Sequence, residues 1–108
     1  MNTPTQTYVI DLSDLTSITE LHPRIKTAMD FPDYYGNNWY AFWDCMTDLV
    51  GDPLDIEIKG LEWLQKYYPF EVEVMFAYLK DLKHVYDDEY ADITHITIIT
   101  GDARTEIT

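Results

Sequence analysis

The chain has 108 residues and a net charge of −13, with 20 acidic and seven basic residues. This length suits one small domain, and a hydrophobic content of 46% is too high for a disordered acidic tail. So few lysines and arginines disfavour binding to nucleic acids or anionic membranes, whereas a strongly acidic chain favours a positively charged protein partner.

The first predicted elements are a strand and a helix. The β-rich run at 8–10 predicts a short buried strand. A helix is expected from about Thr19 to the residue before Pro32, because this start places Pro23 near the first turn, where its missing N–H costs least. The alternative start, a capping box at Ser17, would place Pro23 too deep in the helix.

A second helix is predicted from about Trp39 to Val50, after a loop whose residues favour a turn. Gly36 can adopt a positive φ, and either Asn37 or Asn38 can cap the helix. On a 3.6-residue wheel, one face of this helix is hydrophobic and contains Trp39, Phe42, Met46, Leu49 and Val50.

The opposite face of the second helix carries carboxylates without compensating cations. Tyr40, Asp44 and Asp48 align one turn apart, and Trp43 lies at the border of the two faces. Like charges four residues apart repel and aspartate is a poor helix former, so folding alone does not explain Asp44. We therefore expect Asp44 to bind a positively charged group.

The remaining elements complete an α/β pattern. They are a strand over 54–58, a short helix or wide turn over 60–68, a long helix over 70–85 and a β-branched strand over 93–100. Because strands joined by helical crossovers are parallel, the sequence predicts a three-stranded parallel sheet flanked by about four helices. We expect a single domain over 1–108, with polar, loose tails at about 1–6 and 101–108 and a solvated acidic cluster at 87–89.

Motifs for catalysis and metal binding are missing from the sequence. His22, His84 and His95 fall on different elements without metal-ligand spacing; His22 is expected on a helix surface and His95 facing outward. The single cysteine, Cys45, excludes an internal disulfide and is expected to be buried. The sequence thus predicts no catalytic residue, metal or cofactor. With neither a signal-peptide pattern nor an apolar stretch long enough to span a bilayer, a cytoplasmic protein is expected.

Two segments of the chain carry a family resemblance. They are Phe31-Pro32-Asp33-Tyr34-Tyr35-Gly36-Asn37-Asn38 in the loop and Ala41-x-Trp43-Asp44 in the helix. These segments resemble the loop and helix of the barstar family, small intracellular inhibitors of a bacterial ribonuclease. Weaker similarity extends from Tyr8 to Thr100, and the family fold, a three-stranded parallel sheet with flanking helices, agrees with the predicted element order. The resemblance implies that the acidic loop and helix plug a ribonuclease active site and imitate RNA phosphates.

The resemblance also implies roles for individual residues of the loop and second helix. Tyr34 and Asn38 would line the binding loop, and Trp43 would support or touch the interface. Asp44 would occupy the position of a substrate phosphate, held by basic residues of the enzyme. Thr47 would lie at the edge of the interface.

Other positions are less settled by the resemblance. A glutamate on the long helix makes a further contact in the family; Glu73 matches it best, and Glu71 is the alternative. The family usually has a second acid where this chain has Tyr40 and a tryptophan where it has Leu49. This chain offers Asp48 instead, so Tyr40 and Asp48 are further candidates for contact with a different target.

Three functions follow as hypotheses. The first is a ribonuclease inhibitor, or immunity protein, that binds a basic nuclease toxin with one-to-one stoichiometry. The second is a barstar-like adaptor for a basic protein that is not a nuclease. The third is an enzyme that uses the acidic face with a divalent metal. Addition of the protein to a nuclease assay separates the first two, and a metal titration tests the third.

Overall fold

The computed structural model describes residues 4–84 and 93–107. Its elements are, in chain order, β1 (Gln6–Asp11), a 3₁₀ turn (Ile18–Glu20), α1 (Leu21–Met29), α2 (Trp39–Thr47), β2 (Leu54–Lys59), α3 (Glu62–Tyr67), α4 (Pro69–Leu82), β3 (Thr94–Thr100) and β4 (Ala103–Glu106). The protein is therefore an α/β fold, and its first seven regular elements follow the predicted order, apart from the added 3₁₀ turn.

The strands form one sheet in the order β1-β2-β3-β4. β2 pairs in parallel with both β1 and β3, as helical crossovers require. Ile10, Ile58 and Ile98 are register partners across these strands, and all three are buried. Because side chains alternate along a strand, Val9 points to the other face of the sheet, where it is exposed. The helices thus pack on the face that carries Ile10.

The three predicted parallel strands are present, but the sheet has a fourth strand, because the segment expected to be a loose tail forms β4. A two-residue turn with Gly101 at a φ of 58° reverses the chain, and β4 then pairs antiparallel with β3. Arg104 in β4 donates to a Glu57 carboxylate oxygen on β2 at 2.6 Å, and the Ile107 amide donates to the Ile96 carbonyl at 2.8 Å. All four β4 residues are exposed, so the strand has no apolar alternation that a sequence reading could detect.

The helices differ from prediction mainly at their ends. The α-helix α1 begins two residues after Thr19, following a 3₁₀ turn in which the Ser17 hydroxyl accepts a bond from the Thr19 amide at 3.3 Å. α2 ends at Thr47 instead of Val50. α4 ends at Leu82 instead of the predicted 85, and the acidic cluster at 87–89 lies outside the described residues.

One hydrophobic core forms where the helices meet the sheet. On α2, Phe42 and Met46 are buried as the wheel predicted, whereas Trp39 is half-buried; Leu49 and Val50, also expected on this face, lie beyond the end of α2 and are half-buried. The other helices contribute Leu21, Ile25 and Met29 from α1, Leu64 from α3, and Val72, Met75, Leu79 and Leu82 from α4. Burial of one face of α2 leaves its opposite face, with the carboxylates, in solvent.

Candidate partner-binding surface

The loop between α1 and α2 is fixed by its own backbone bonds. α1 ends at Met29; the capping residue that follows, Asp30, has a φ of 55°, and the Phe31 amide donates to the Lys26 carbonyl at 3.0 Å. The Tyr35 amide donates to the Pro32 carbonyl at 2.9 Å. The positive φ expected at Gly36 occurs instead at Asn37, at 53°, because asparagine also tolerates the left-handed region.

The two adjacent tyrosines of the loop point to opposite sides. Tyr34 is 80% exposed, whereas Tyr35 is buried with its ring centroid 5.1 Å from that of Phe31. The Tyr35 hydroxyl lies 2.7 Å from His22 Nδ1 on α1. Tyr35 therefore anchors the loop from beneath, and Tyr34 is free to contact a partner.

His22 is not the surface residue that the sequence suggested. It is half-buried, and its ring meets the edge of Trp39 with centroids 4.6 Å apart. Burial lowers the pKa of His22, although the charge of Glu71 opposes this effect. A pocket made jointly by α1, the loop and α2 explains the burial, and helical periodicity alone does not reveal such a pocket.

The start of α2 is held by a cap and by α4. The Asn38 side-chain oxygen accepts a bond from the Ala41 amide at 2.8 Å, and its Nδ2 donates to the Gly36 carbonyl at 3.1 Å. The Trp39 indole N–H donates to a Glu71 carboxylate oxygen at 2.6 Å. These bonds fix the angle at which α2 leaves the loop.

The exposed face of α2 is as the wheel predicted. Tyr40 is 81% exposed, and Asp44 and Asp48 are also exposed. Within residues 4–84 and 93–107, no ion pair involves either aspartate. Thr47 is half-buried, and its hydroxyl donates a hydrogen bond to the backbone carbonyl of Asp44 at 3.0 Å. The Asp44 carboxylate takes no part in this bond. Asp44 is thus neither sealed inside nor neutralised by a described cation.

A surface depression of about 280 Å³ joins the loop to α2. Its lining consists of Tyr34, Tyr35, Gly36, Asn38, Ala41, Asp44 and Cys45. Cys45 is buried as expected, and the pKa of its thiol is raised by burial and by the nearby charges of Asp48 and Asp44. The depression combines an aromatic ring, an amide and a carboxylate, a set that can accept a planar cation.

The contacts of α4 with α2 come from residues that the sequence reading did not favour. Tyr78 packs its ring against half-buried Trp43, with centroids 5.6 Å apart, and Glu71 bonds Trp39. Glu71 and Tyr78 are two turns apart and share a face of α4, whereas Glu73 is rotated about 200° from Glu71. Glu73 is exposed, but the structure does not bring it to α2. The spacing of two helical turns between Glu71 and Tyr78 was the feature of the sequence that could have placed Tyr78 on the same face of α4 as Glu71.

The described residues offer no candidate for a metal or a transmembrane segment. Among them, no group of three or more His, Cys, Asp or Glu side chains is arranged to hold an ion. Within the same part of the chain, no helix is both long and apolar enough to cross a membrane. The surface built from the loop and α2 is therefore the candidate site.

Comparison with known proteins identifies the family of this small α/β fold with its acidic loop and helix. The family model described as Barstar (barnase inhibitor) matches residues 5–97, so the chain belongs to the Barstar family. It is also similar to a Bacillus subtilis (strain 168) protein named putative ribonuclease inhibitor YrdF. The two are 33% identical over 82 residues, which cover 76% of this chain and 90% of that protein.

Proposed function

We propose that the chain inhibits a basic ribonuclease by covering the enzyme's active site with its loop–α2 surface. This surface consists of Tyr34, Asn38, Tyr40, Trp43, Asp44, Thr47 and Asp48. The observation that carries the proposal is the exposed Asp44 carboxylate, which lines a depression beside Tyr34 without a described cation. Membership of the Barstar family and the name of the Bacillus subtilis relative support the same role.

The proposed mechanism is imitation of the substrate. A carboxylate can accept paired bonds from an arginine much as a phosphate does, so Asp44 can occupy a site that evolved for RNA. Tyr34 offers a flat ring for stacking against a base-binding or basic side chain. The net charge of −13 attracts a basic enzyme over distance and repels RNA, so the inhibitor binds the enzyme without binding its substrate. The protein acts as an inhibitor and not as an enzyme, in the cytoplasm, one copy per nuclease.

The test is inhibition of RNA cleavage by barnase, the enzyme that the family description names. Asp44→Ala is expected to weaken inhibition by about 2–5 kcal/mol, because basic enzyme groups lose their charged partner in a desolvated interface. Tyr34→Ala is expected to weaken it by more than about 1 kcal/mol.

A matched control is Asp102→Ala, which removes an exposed carboxylate from the β3–β4 turn, away from the loop–α2 surface. It should leave inhibition unchanged. If folded Asp44→Ala and Tyr34→Ala inhibit as well as the wild type, the loop–α2 surface is not the binding site.

A second candidate function follows from Tyr40, which presents an 81% exposed aromatic ring on the carboxylate face of α2. An aromatic group in this place suits a partner surface less uniformly basic than a nuclease active site. The chain would then be an adaptor that binds a basic protein without blocking catalysis. Binding without any loss of RNA cleavage would identify this function.

A further inference from the structure

Aromatic side chains cluster on the surface where α3 turns into α4. The aromatic patch consists of Trp63, Tyr67, Tyr68 and Phe70. The Trp63 ring centroid lies 5.5 Å from that of Tyr67 and 5.7 Å from that of Tyr68. Phe70 is 71% exposed and Tyr67 is 56% exposed. Several exposed aromatic side chains within one short segment mark an interaction site more often than a single exposed ring does.

Folding does not account for Phe70. The core contacts of α3 and α4 near this corner come from Leu64 and Val72, both of which are buried. Phe70 occupies the first turn of α4, where phenylalanine has a lower helix propensity than alanine and its exposed ring gains little from burial. An alanine or a charged residue would serve the helix at least as well.

The first turn of α4, which carries Phe70, lies beside the start of α2. Glu71 follows Phe70 directly and accepts the indole N–H bond of Trp39. Trp39 itself is half-buried at the start of α2, and the next residue, Tyr40, lies on the exposed face. A partner bound at the start of α2 would therefore lie next to the α3–α4 corner.

The chemistry around the aromatic patch fits a basic protein. Glu62 and Glu73 are exposed beside it and Glu71 is half-buried, whereas Lys66 stands 5.3 Å above the Tyr67 ring. An apolar centre with a charged rim is the usual anatomy of a protein interface. A second copy of this chain is disfavoured, because each copy carries a net charge of −13.

We propose that the interface with the basic ribonuclease extends from the loop–α2 surface onto the aromatic patch, where Phe70 and Tyr67 act as apolar anchors. This inference rests on the proposed function and adds to it a second set of contacts. Asp44 binds the basic active site, and the aromatic patch binds an apolar area beside that site. The two anchors determine which ribonucleases form long-lived complexes, because buried aromatic contacts change the dissociation rate more than the association rate.

The experiment measures barnase binding by Phe70→Ala and Tyr67→Ala variants. Both side chains are exposed, so the midpoint of thermal unfolding should not change. Each variant is expected to bind about fivefold or more weakly, chiefly through faster dissociation. Val9→Ala, which truncates an exposed side chain on the other face of the sheet, is the control and should bind like the wild type.

The possible outcomes separate the two proposals. If Asp44→Ala loses binding while Phe70→Ala and Tyr67→Ala bind like the wild type, the aromatic patch is not part of the interface and the proposed function stands. If the wild-type chain does not bind barnase, both proposals fail for this enzyme class. If the free protein sediments as a dimer that Phe70→Ala dissociates, the aromatic patch serves self-association and the inference is wrong.

Discussion

Glu71 has a role at the residue scale that the charge pattern of the sequence does not show. Its carboxylate accepts the Trp39 indole N–H at 2.6 Å, and so ties the first residue of α2 to α4. A charged acceptor makes such a bond shorter and stronger than a neutral one. Glu71 thus positions the loop–α2 surface, whichever residues of that surface touch the partner.

A pair of substitutions separates this positioning role from direct contact with a basic partner. Glu71→Ala should destabilise the protein by about 1–2 kcal/mol and speed amide hydrogen exchange over 35–41, because the Trp39 N–H loses its acceptor. Glu71→Gln keeps an acceptor oxygen, so it should destabilise the protein less and speed amide exchange less than Glu71→Ala does. The same amide exchange in β2 serves as an internal control. If Glu71→Ala and Glu71→Gln lower the stability and speed amide exchange equally, the charge of Glu71 matters and its hydrogen bond does not.

Residue positions were predictable from sequence where one helix decides them. The wheel correctly placed Phe42 inside and Asp44 outside, since burial on α2 follows its own periodicity. His22 was misplaced because its pocket is built by Tyr35 and Trp39, which come from other parts of the chain. Tyr78 was overlooked for the same reason, as its partner Trp43 lies on another helix.

At the scale of elements, α2 depends on Asn38. This side chain caps the helix through the Ala41 amide and also bonds the Gly36 carbonyl within the loop. A residue expected to touch the partner therefore also holds the loop–α2 surface in shape.

Substitution of Asn38 should reveal both roles. Asn38→Ala should cost about 1 kcal/mol of unfolding free energy, whereas Asn38→Asp keeps the cap and should cost less. Denaturant unfolding gives these values, and barnase inhibition by the same proteins gives the effect on binding. If Asn38→Ala has normal stability and weak inhibition, the cap contributes nothing and the side chain acts only as a contact.

The helices and strands with a strong sequence pattern were easier to predict than the total number of strands. β3 was evident from its β-branched run, and α4 from its apolar spacing. β4 was missed because its stability comes from pairing with β3 and from the Arg104 bond to Glu57, which are both distant contacts. It also lies beyond Thr100, where the resemblance to the barstar family ends, so the resemblance gave no guidance there.

For the whole molecule, the dominant property is the excess of 20 acidic over seven basic residues. The cations that are present largely serve the fold: among the described residues, Arg24 pairs with Asp14, Lys59 with Asp11 and Arg104 with Glu57. A further pair joins Lys26 to Asp33 in the loop, but no described pair involves Asp44 or Asp48, so these two carboxylates remain available to attract a partner.

This field predicts a salt effect on the association rate. Binding to barnase should slow by about tenfold or more between roughly 0.05 and 0.5 M salt, because the ions screen the attraction. Stopped-flow association at several salt concentrations measures the slope. Asp44→Ala should reduce the slope, whereas Phe70→Ala, which changes no charge, should leave it unaltered. An association rate independent of salt would contradict electrostatic attraction of a basic partner.

The position of the single cysteine has a practical consequence. The Cys45 thiol lines the depression beside Asp44, and its raised pKa keeps it protonated and slow to alkylate. A protein docked on the loop–α2 surface would cover this depression and slow the access of reagent to the thiol. The rate of thiol modification is therefore a gauge of occupancy that needs no engineered cysteine, because the native chain already carries one.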